Sequence, residues 1–232
     1  MLRLRRQLRR ICLSRTPRAP APRANPYLAP GELYKPIVWI DCEMTGLDHT
    51  SDHIIEVCCL VTDGHLNVVD EAGYESVVHA SAAALAAMDA WCTEHHGASG
   101  LSARVLASDK SAAQVEAELL AYIRRLVPRP GRAVLAGNSV HMDRLFMLRD
   151  FPAVVAHLSH RIIDVSSFAE VCARHNPALH AATPRKRAAH TARADILESI
   201  AQLRWYRTHY LVPPEMTCTS APADDPASPT PT

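Results

Sequence analysis

Five side chains could bind a cation and move a proton if the fold brings them together. Asp41 and Glu43 stand in Asp-Cys-Glu directly after the apolar run Ile37-Val38-Trp39-Ile40. Residues i and i+2 of a strand face the same way, so two carboxylates project together from a strand end. Like charges that close are unfavourable without a cation between them, and an all-oxygen donor set suits Mg²⁺ or Mn²⁺. A solvated strand end reads the same way. Asp143 opens a helical stretch after Gly137-Asn138-Ser139, where an acid also favours the helix dipole. Asp195 lies in the last helical stretch between Ala194 and Ile196, half-buried or a plain surface acid. His190 carries an imidazole whose ordinary pKa of about 6.5 suits proton transfer. Five helical steps rotate by about 140°, so His190 and Asp195 can share a site only if residue 190 precedes the regular helix. With 13 histidines in the chain, an exposed surface His is the plain alternative.

The elements that must position these groups follow from periodicity. Ile37–Ile40 and Ile54–Thr62 read as buried strands, with Leu66–Asp70 and Tyr74–His79 as weaker ones. Only turns separate them, which favours antiparallel neighbours. Then the pattern changes. Val115, Leu119, Leu120, Ile123 and Leu126 share a helical face that ends before Pro128 and Pro130. Ala133–Ala136 is a short strand, Val140–Phe151 a helix stopped by Pro152, and Arg161–Val165 another strand. Ser166-Ser167 can cap a helix to about His175, and a last helix runs to about Tyr210. Antiparallel strands followed by alternating helices and strands predict an α/β fold: a mixed sheet flanked by helices.

The chain has 232 residues, 48% apolar and 21% charged, enough to bury one sizeable core. No apolar run reaches the roughly 18 residues of a spanning helix, which argues against the membrane as a partner. Aromatics at 5% argue against a base-stacking sheet. Charge is unevenly placed: residues 1–31 carry eight Arg and no acid, leaving 17 basic against 24 acidic residues in the remainder. Such a body does not hold a long duplex by charge, so a nucleic-acid partner should be short or gripped through metal ions. Leu4, Leu8 and Ile11 at helical spacing among arginines give residues 1–31 the pattern of a mitochondrial targeting leader and linker; a basic tail touching RNA loosely is the alternative. Residues 32–212 form the expected folded domain, and 213–232 read as a Pro-rich disordered tail. Seven cysteines without a Cys-x-x-Cys pair read as reduced thiols, four of them (Cys42, Cys58, Cys59, Cys172) in apolar segments.

Each signal is modest alone. Together Asp-x-Glu on the first strand, a helix-borne Asp about 100 residues on and His-x4-Asp near the end form one set in one order. The sequence resembles the 3′–5′ exonucleases with four carboxylates and a histidine (DEDDh), and within them the oligoribonuclease family. The resemblance rests on Trp39-Ile-Asp-Cys-Glu-Met-Thr-Gly-Leu47, Trp91-Cys-Thr-Glu-His-His96, Ser99-Gly-Leu101, Gly137-Asn-Ser-Val-His141, Arg161-Ile-Ile-Asp-Val-Ser166 and His190 to Asp195. It covers about residues 36–210. It implies a ribonuclease H-like fold with a five-stranded mixed sheet, and release of 5′-mononucleotides from the 3′ end of short RNA, dinucleotides above all. It implies two divalent ions, Mg²⁺ or Mn²⁺, held by Asp41, Glu43, Asp143 and Asp195, with His190 as general base. It further implies that Leu47 wedges between the last two bases and that Trp91 and His96 contact the terminal nucleotide. Ser139, Arg161 and Ser166 would cap the 5′-phosphate, with Arg161 supplied by the second subunit of a homodimer. A mitochondrial location follows from the leader and the resemblance, compatible with a cytosolic form as well.

Without the resemblance, core packing is the preferred reading of Leu47 and Trp91. Three positions depart from the family pattern: Cys42 replaces a Leu, Ala194 replaces an Asp, and His160 stands where a Tyr stacks on substrate. The smaller imidazole implies weaker, more pH-dependent stacking. A broader exonuclease acting on DNA or longer single strands is the second reading, and a catalytically dead RNA-binding module the third. The third requires the loss of at least one of the five groups, and all five are present.

Overall fold

In a computed structural model the described residues are 31–184 and 191–211. In chain order they form β1 (Ile37–Met44), β2 (Ile54–Thr62), β3 (Tyr74–Val77), α1 (Ala82–Ala86), α2 (Ala90–Ala98), α3 (Leu101–Ala107), α4 (Ala112–Leu126), β4 (Val134–Gly137), α5 (Val140–Asp150), α6 (Pro152–His157), β5 (Ile162–Asp164), α7 (Val165–His175), α8 (Pro177–Ala181) and α9 (Ala192–His209). The sheet order is β3-β2-β1-β4-β5. β1 pairs antiparallel with β2 and parallel with β4, so the expected mixed sheet is present.

β1 is central because its apolar residues bury on both faces. Val38, Ile40 and Cys42 pack with Leu119 and Ile123 of α4 and Phe146 and Met147 of α5. Ile37 and Trp39 pack with Ile196, Ile200 and Tyr206 of α9 and with Val165 and Cys172 of α7. Asp41 and Glu43 continue the second face at the strand's C-terminal end. β4 leaves the sheet at that same end, so the helix it feeds, α5, begins beside β1. Ligand sites of open α/β sheets form at such strand ends, where neighbouring connections diverge.

Several boundaries differ from expectation. Leu66–Asp70 is not a strand: Asp63 Oδ1 accepts from the backbone N–H of His65 (2.9 Å) and Asn67 (2.9 Å), and Leu66 takes φ +69°. Only a single bridge, Thr62 to Val68, remains there. Pro152 does more than stop α5; it opens α6 as the first residue, where its missing N–H is harmless. α7 is capped by Asp164, not by the Ser166-Ser167 pair. The helices between Ala82 and Ala107, and α8, were not expected. The cysteines at 42, 58, 59, 92 and 172 are buried, free thiols. No helix among the described residues is long and apolar enough to cross a membrane.

The Tyr206 ring is fully buried, yet its hydroxyl finds no partner among the described residues. Burying an unpaired hydroxyl is unfavourable. Tyr206→Phe is therefore expected to raise stability by about 1 kcal/mol, or about 2–4 °C in thermal melting. A drop in melting temperature would mean the hydroxyl is satisfied.

Candidate active site

Asp41 and Glu43 lie on one face of β1, opposite Cys58 and Glu56 of β2. The pairing shifts between Glu43 and Met44, ending the regular ladder at the second acid. Register with β3 adds Glu75 beside Cys58. Two of these extra acids are paired: Arg104 Nη1 donates to Glu56 Oε1 at 2.6 Å, and Arg193 Nη1 to Glu75 Oε1 at 3.1 Å. Asp143, in the first turn of α5, is buried, and its Oδ1 accepts the Cys42 N–H at 2.9 Å. Asp195 sits in the first turn of α9, partly buried.

These carboxylates feel one another. Burial, then the charges of Glu56, Asp195 and Asp143, push Glu43 up to about 7. Burial and the Asp41 charge push Asp143 up to about 8, against the opposing hydrogen bond from Cys42. Four acids from β1, α5 and α9 thus form one electrostatic group. An oxygen-only set under mutual repulsion fits a hard divalent cation in chemistry and charge. It is not a preformed cage: no three His, Cys, Asp or Glu side chains among the described residues are gathered at metal-ligand spacing.

Asn138 fixes the helices against each other. Its Nδ2 donates to Ser199 Oγ (2.7 Å) and Gln202 Oε1 (3.2 Å) of α9. Ser199 Oγ in turn donates to the Asp195 carbonyl at 2.7 Å. The turn that starts the Asp143 helix is thereby tied to the helix of Asp195. α9 begins at Ala192 behind the cap Thr191. His190 itself, like residues 1–30 and 212–232, lies outside the described residues.

A cavity of about 420 Å³ opens beside the acids, with Glu43 and Asp195 in its wall. Trp91 also lines it, 59% exposed and stacked on His95 with ring centroids 3.9 Å apart. His96 lines it too, buried, its Nε2 donating to the Met44 carbonyl at 2.9 Å. That bond holds the irregular end of β1 that follows Glu43. Leu47 does not line this cavity; it stands 77% exposed on the loop after β1. Core packing therefore explains neither Leu47 nor Trp91.

Ser139 and Ser166 meet at a residue that the sequence reading left without a role. Asp164 Oδ1 accepts from Ser139 N (2.9 Å), Ser166 N (3.0 Å) and Ser166 Oγ (2.6 Å), while Oδ2 accepts from His141 Nδ1 (3.2 Å). Burial pushes the Asp164 carboxyl up, but the bonds from Ser166, His141 and Ser139 outweigh it and hold the group below its ordinary range. Ser139 takes φ +54°, a left-handed conformation stabilised by this bond. His160 and Arg161 are exposed just before β5 and do not line the cavity. Glu56, Glu75 and Asp164 are the site residues that sequence reasoning missed. An acid inside the apolar run Ile54–Thr62 was the available signal for Glu56, and an Asp directly before Val-Ser-Ser the signal for Asp164.

Comparisons with known proteins identify the relatives of this chain. The family model described as Exonuclease (RNase_T) matches residues 38–203, which include all four acids. The chain is 61% identical over 192 residues to the oligoribonuclease, mitochondrial, of Saccharomyces cerevisiae, covering 80% of this chain and 71% of that one. It is 49% identical over 181 residues to the oligoribonuclease of Nocardia farcinica, covering 78% and 83%. Against the oligoribonuclease, mitochondrial, of Bos taurus it is 44% identical over 183 residues, covering 78% and 76%. Among solved structures, exonuclease I of Escherichia coli in complex with a dA16 oligonucleotide superposes with TM-score 0.56 at 17% identity. That match covers 76% of this chain but only 41% of the larger enzyme, and it speaks to the fold alone. A ribonuclease H-like sheet, acids in the expected order on its central strand and flanking helices, and relatives sharing up to three-fifths of their aligned residues agree: the chain belongs to the oligoribonuclease family of 3′–5′ exoribonucleases.

Proposed function

We propose that the protein removes nucleotides from the 3′ end of short oligoribonucleotides, dinucleotides above all, releasing 5′-mononucleotides. The observation that carries this reading is the coupled group Asp41, Glu43, Asp143 and Asp195 beside a cavity of about 420 Å³. That volume suits a ligand of one or two nucleotides. The net negative charge of the body, 17 basic against 24 acidic residues, supports the same substrate class.

In this reading the four carboxylates would hold two divalent ions, Mg²⁺ or Mn²⁺. When bound, the ions supply charge stabilisation to the attacking and leaving oxygens of the phosphodiester. The chain does the rest. Asp143 is kept in place by the Cys42 N–H, and Asp195 by the Asn138 and Ser199 bonds to α9. His190 takes a proton from the attacking water. Trp91 offers an exposed ring to the terminal base, Leu47 wedges beside it, and His96 steadies the strand end between them. Ser139 and Ser166, organised by Asp164, cap the 5′-phosphate. Arg161 is exposed and away from its own chain's cavity, as a residue delivered to the second subunit of a homodimer must be, and His160 beside it would stack on substrate. We assign residues 1–31 as a mitochondrial leader and linker, 32–212 as the exonuclease domain and 213–232 as a Pro-rich tail. The Arg-rich, acid-free leader and relatives named mitochondrial support the location.

The test is turnover of a 5′-phosphorylated diribonucleotide against a 20-nucleotide RNA, with Mg²⁺, with Mn²⁺ and with EDTA, beside the His190→Ala and Asp195→Ala proteins. Metal-dependent release favouring the dinucleotide by at least about tenfold, and lost in both variants, is the expected result. Equal or better cleavage of the 20-mer would make the protein a broader exonuclease. Dinucleotide binding without turnover would make it a binding module.

A further inference from the structure

The loop between β1 and β2 holds an exposed leucine unusually firmly. Thr45 N donates to the His53 carbonyl (3.0 Å) and Thr45 Oγ1 to Asp52 Oδ1 (2.9 Å). Asp52 Oδ2 also accepts from Asp48 N (3.0 Å), and Asp48 Oδ1 accepts from Thr50 N and Oγ1. Gly46 lies so close to this carboxylate that a Cβ there would stand 2.4 Å from Asp52 Oδ2. All of this surrounds Leu47, 77% exposed to water. A single exposed leucine needs no explanation, but a loop cross-linked around one does.

The loop is also fastened from outside, by the C-terminal end of α5. Arg149 Nη1 donates to the His49 carbonyl at 2.6 Å; Nη2 donates to the Asp52 carbonyl and to His53 Nδ1. Asp150 orients that guanidinium through Nε (2.8 Å) and accepts the Ile54 N–H at 3.0 Å. Phe146 lies under the guanidinium, 6.0 Å from ring centroid to Cζ. The helix that carries Asp143 at its first turn therefore clamps the Leu47 loop at its last.

We propose that Arg149 is a positioning residue for substrate binding, fixing the loop so that Leu47 is presented in one place before substrate arrives. The proposal rests on the reading of Leu47 as a substrate contact. Ordering a loop in advance removes an entropic penalty from binding and leaves the chemical step alone. A fork-shaped guanidinium can bridge two carbonyls and an imidazole at once, which a lysine ammonium on a flexible stem cannot.

Kinetics on the dinucleotide with Arg149→Ala, Arg149→Lys, Leu47→Ala and the Leu47→Ala/Arg149→Ala pair test it, together with amide exchange over residues 46–52. Arg149→Ala should raise KM about fivefold to tenfold with kcat within about twofold, and Arg149→Lys should fall between it and the parent. Loop amides should exchange faster in both. In the Leu47→Ala background the arginine change should add less than about twofold, because its effect passes through a side chain already removed. If Arg149→Ala does not fold, Arg149→Lys alone carries the comparison. Multiplying effects in the double variant would overturn the proposal, as would a fall in kcat at unchanged KM, which would place the arginine's effect at Asp143. If Leu47→Ala raises KM but neither Arg149 variant does, the wedge stands and the clamp falls. If Leu47→Ala itself leaves KM unchanged, the substrate role of Leu47 falls and the proposal with it.

Discussion

Asp143→Asn is expected to abolish most turnover, by roughly a thousandfold, and yet to make the metal-free protein more stable at pH 8. The amide keeps an oxygen for the Cys42 N–H, so the start of α5 stays anchored. What it removes is a buried negative charge facing Asp41. The Asp143 carboxyl is raised to about 8 in the folded chain from the ordinary carboxylate range. For an acid raised on folding, the associated stability is complete below the unfolded value and lost as pH climbs through the folded one. Glu43, raised to about 7, acts in the same direction. In EDTA the parent should therefore melt at progressively lower temperature from about pH 5 to pH 8, and the variant should decline less. Divalent metal should recover the parent at pH 8 and help the variant little. Equal pH slopes for the two proteins in EDTA would refute this picture of a self-repelling site.

Gly73→Ala is expected to lower stability by about 2–4 kcal/mol, or about 5–15 °C, and to weaken catalysis in the molecules that remain folded. Gly73 has φ +68°, and a Cβ there would meet Leu60 Cδ2 at 2.6 Å, the Cys59 carbonyl at 2.9 Å and Arg193 Nη1 at 3.2 Å. The last contact links the hairpin to chemistry. Arg193, two residues before Asp195 in the first turn of α9, donates to the carbonyls of Glu71 and Ala72 and to Glu75. Pushing the hairpin away releases the start of that helix. Gly131→Ala is the control: φ is +73°, but nothing lies within 4 Å of a Cβ. It should show only the cost of backbone conformation, about 1 kcal/mol. If both variants melt alike, close approach at Gly73 contributes nothing.

How much of this was legible follows from the range of each interaction. Ile37–Ile40 and Ile54–Thr62 were readable because strands buried on both faces are apolar throughout. The helix of Val115, Leu119 and Ile123 was readable because these residues recur on one face at helical spacing before Pro128. The three helices between Ala82 and Ala107 were not, since alanine and histidine give almost no contrast between faces and only Leu85, Cys92, His96, Leu101 and Val105 are buried. Leu66–Asp70 looked like a strand from its apolar residues, but Asp63 folds it into a turn through bonds that a propensity reading ignores. The four acids stood out through order and motif. Glu56, Glu75 and Asp164 act through sheet register and long-range hydrogen bonds, which exist only once the strands have paired. Leu47 and Trp91 show the opposite case: apolar residues that composition assigns to the core stand in water.

The proposed ligand set draws on β1, α5 and α9, the first strand and the last helix of the described chain. On that ligand set, the reactive centre is complete only once the last helix has docked. A growing chain can pair β1 with β2 early, but the sheet face of Ile37 and Trp39 lacks Ile196, Ile200 and Tyr206 until the final helix has emerged. Such distant partners make docking of that helix a slow, non-local event. Asp195 arrives with the docking residues on the same helix, so completion of the core and completion of the reactive centre are one step. On the proposed ligand set, a product truncated before Ala192 should lack both the cover of that sheet face and one of the four carboxylates.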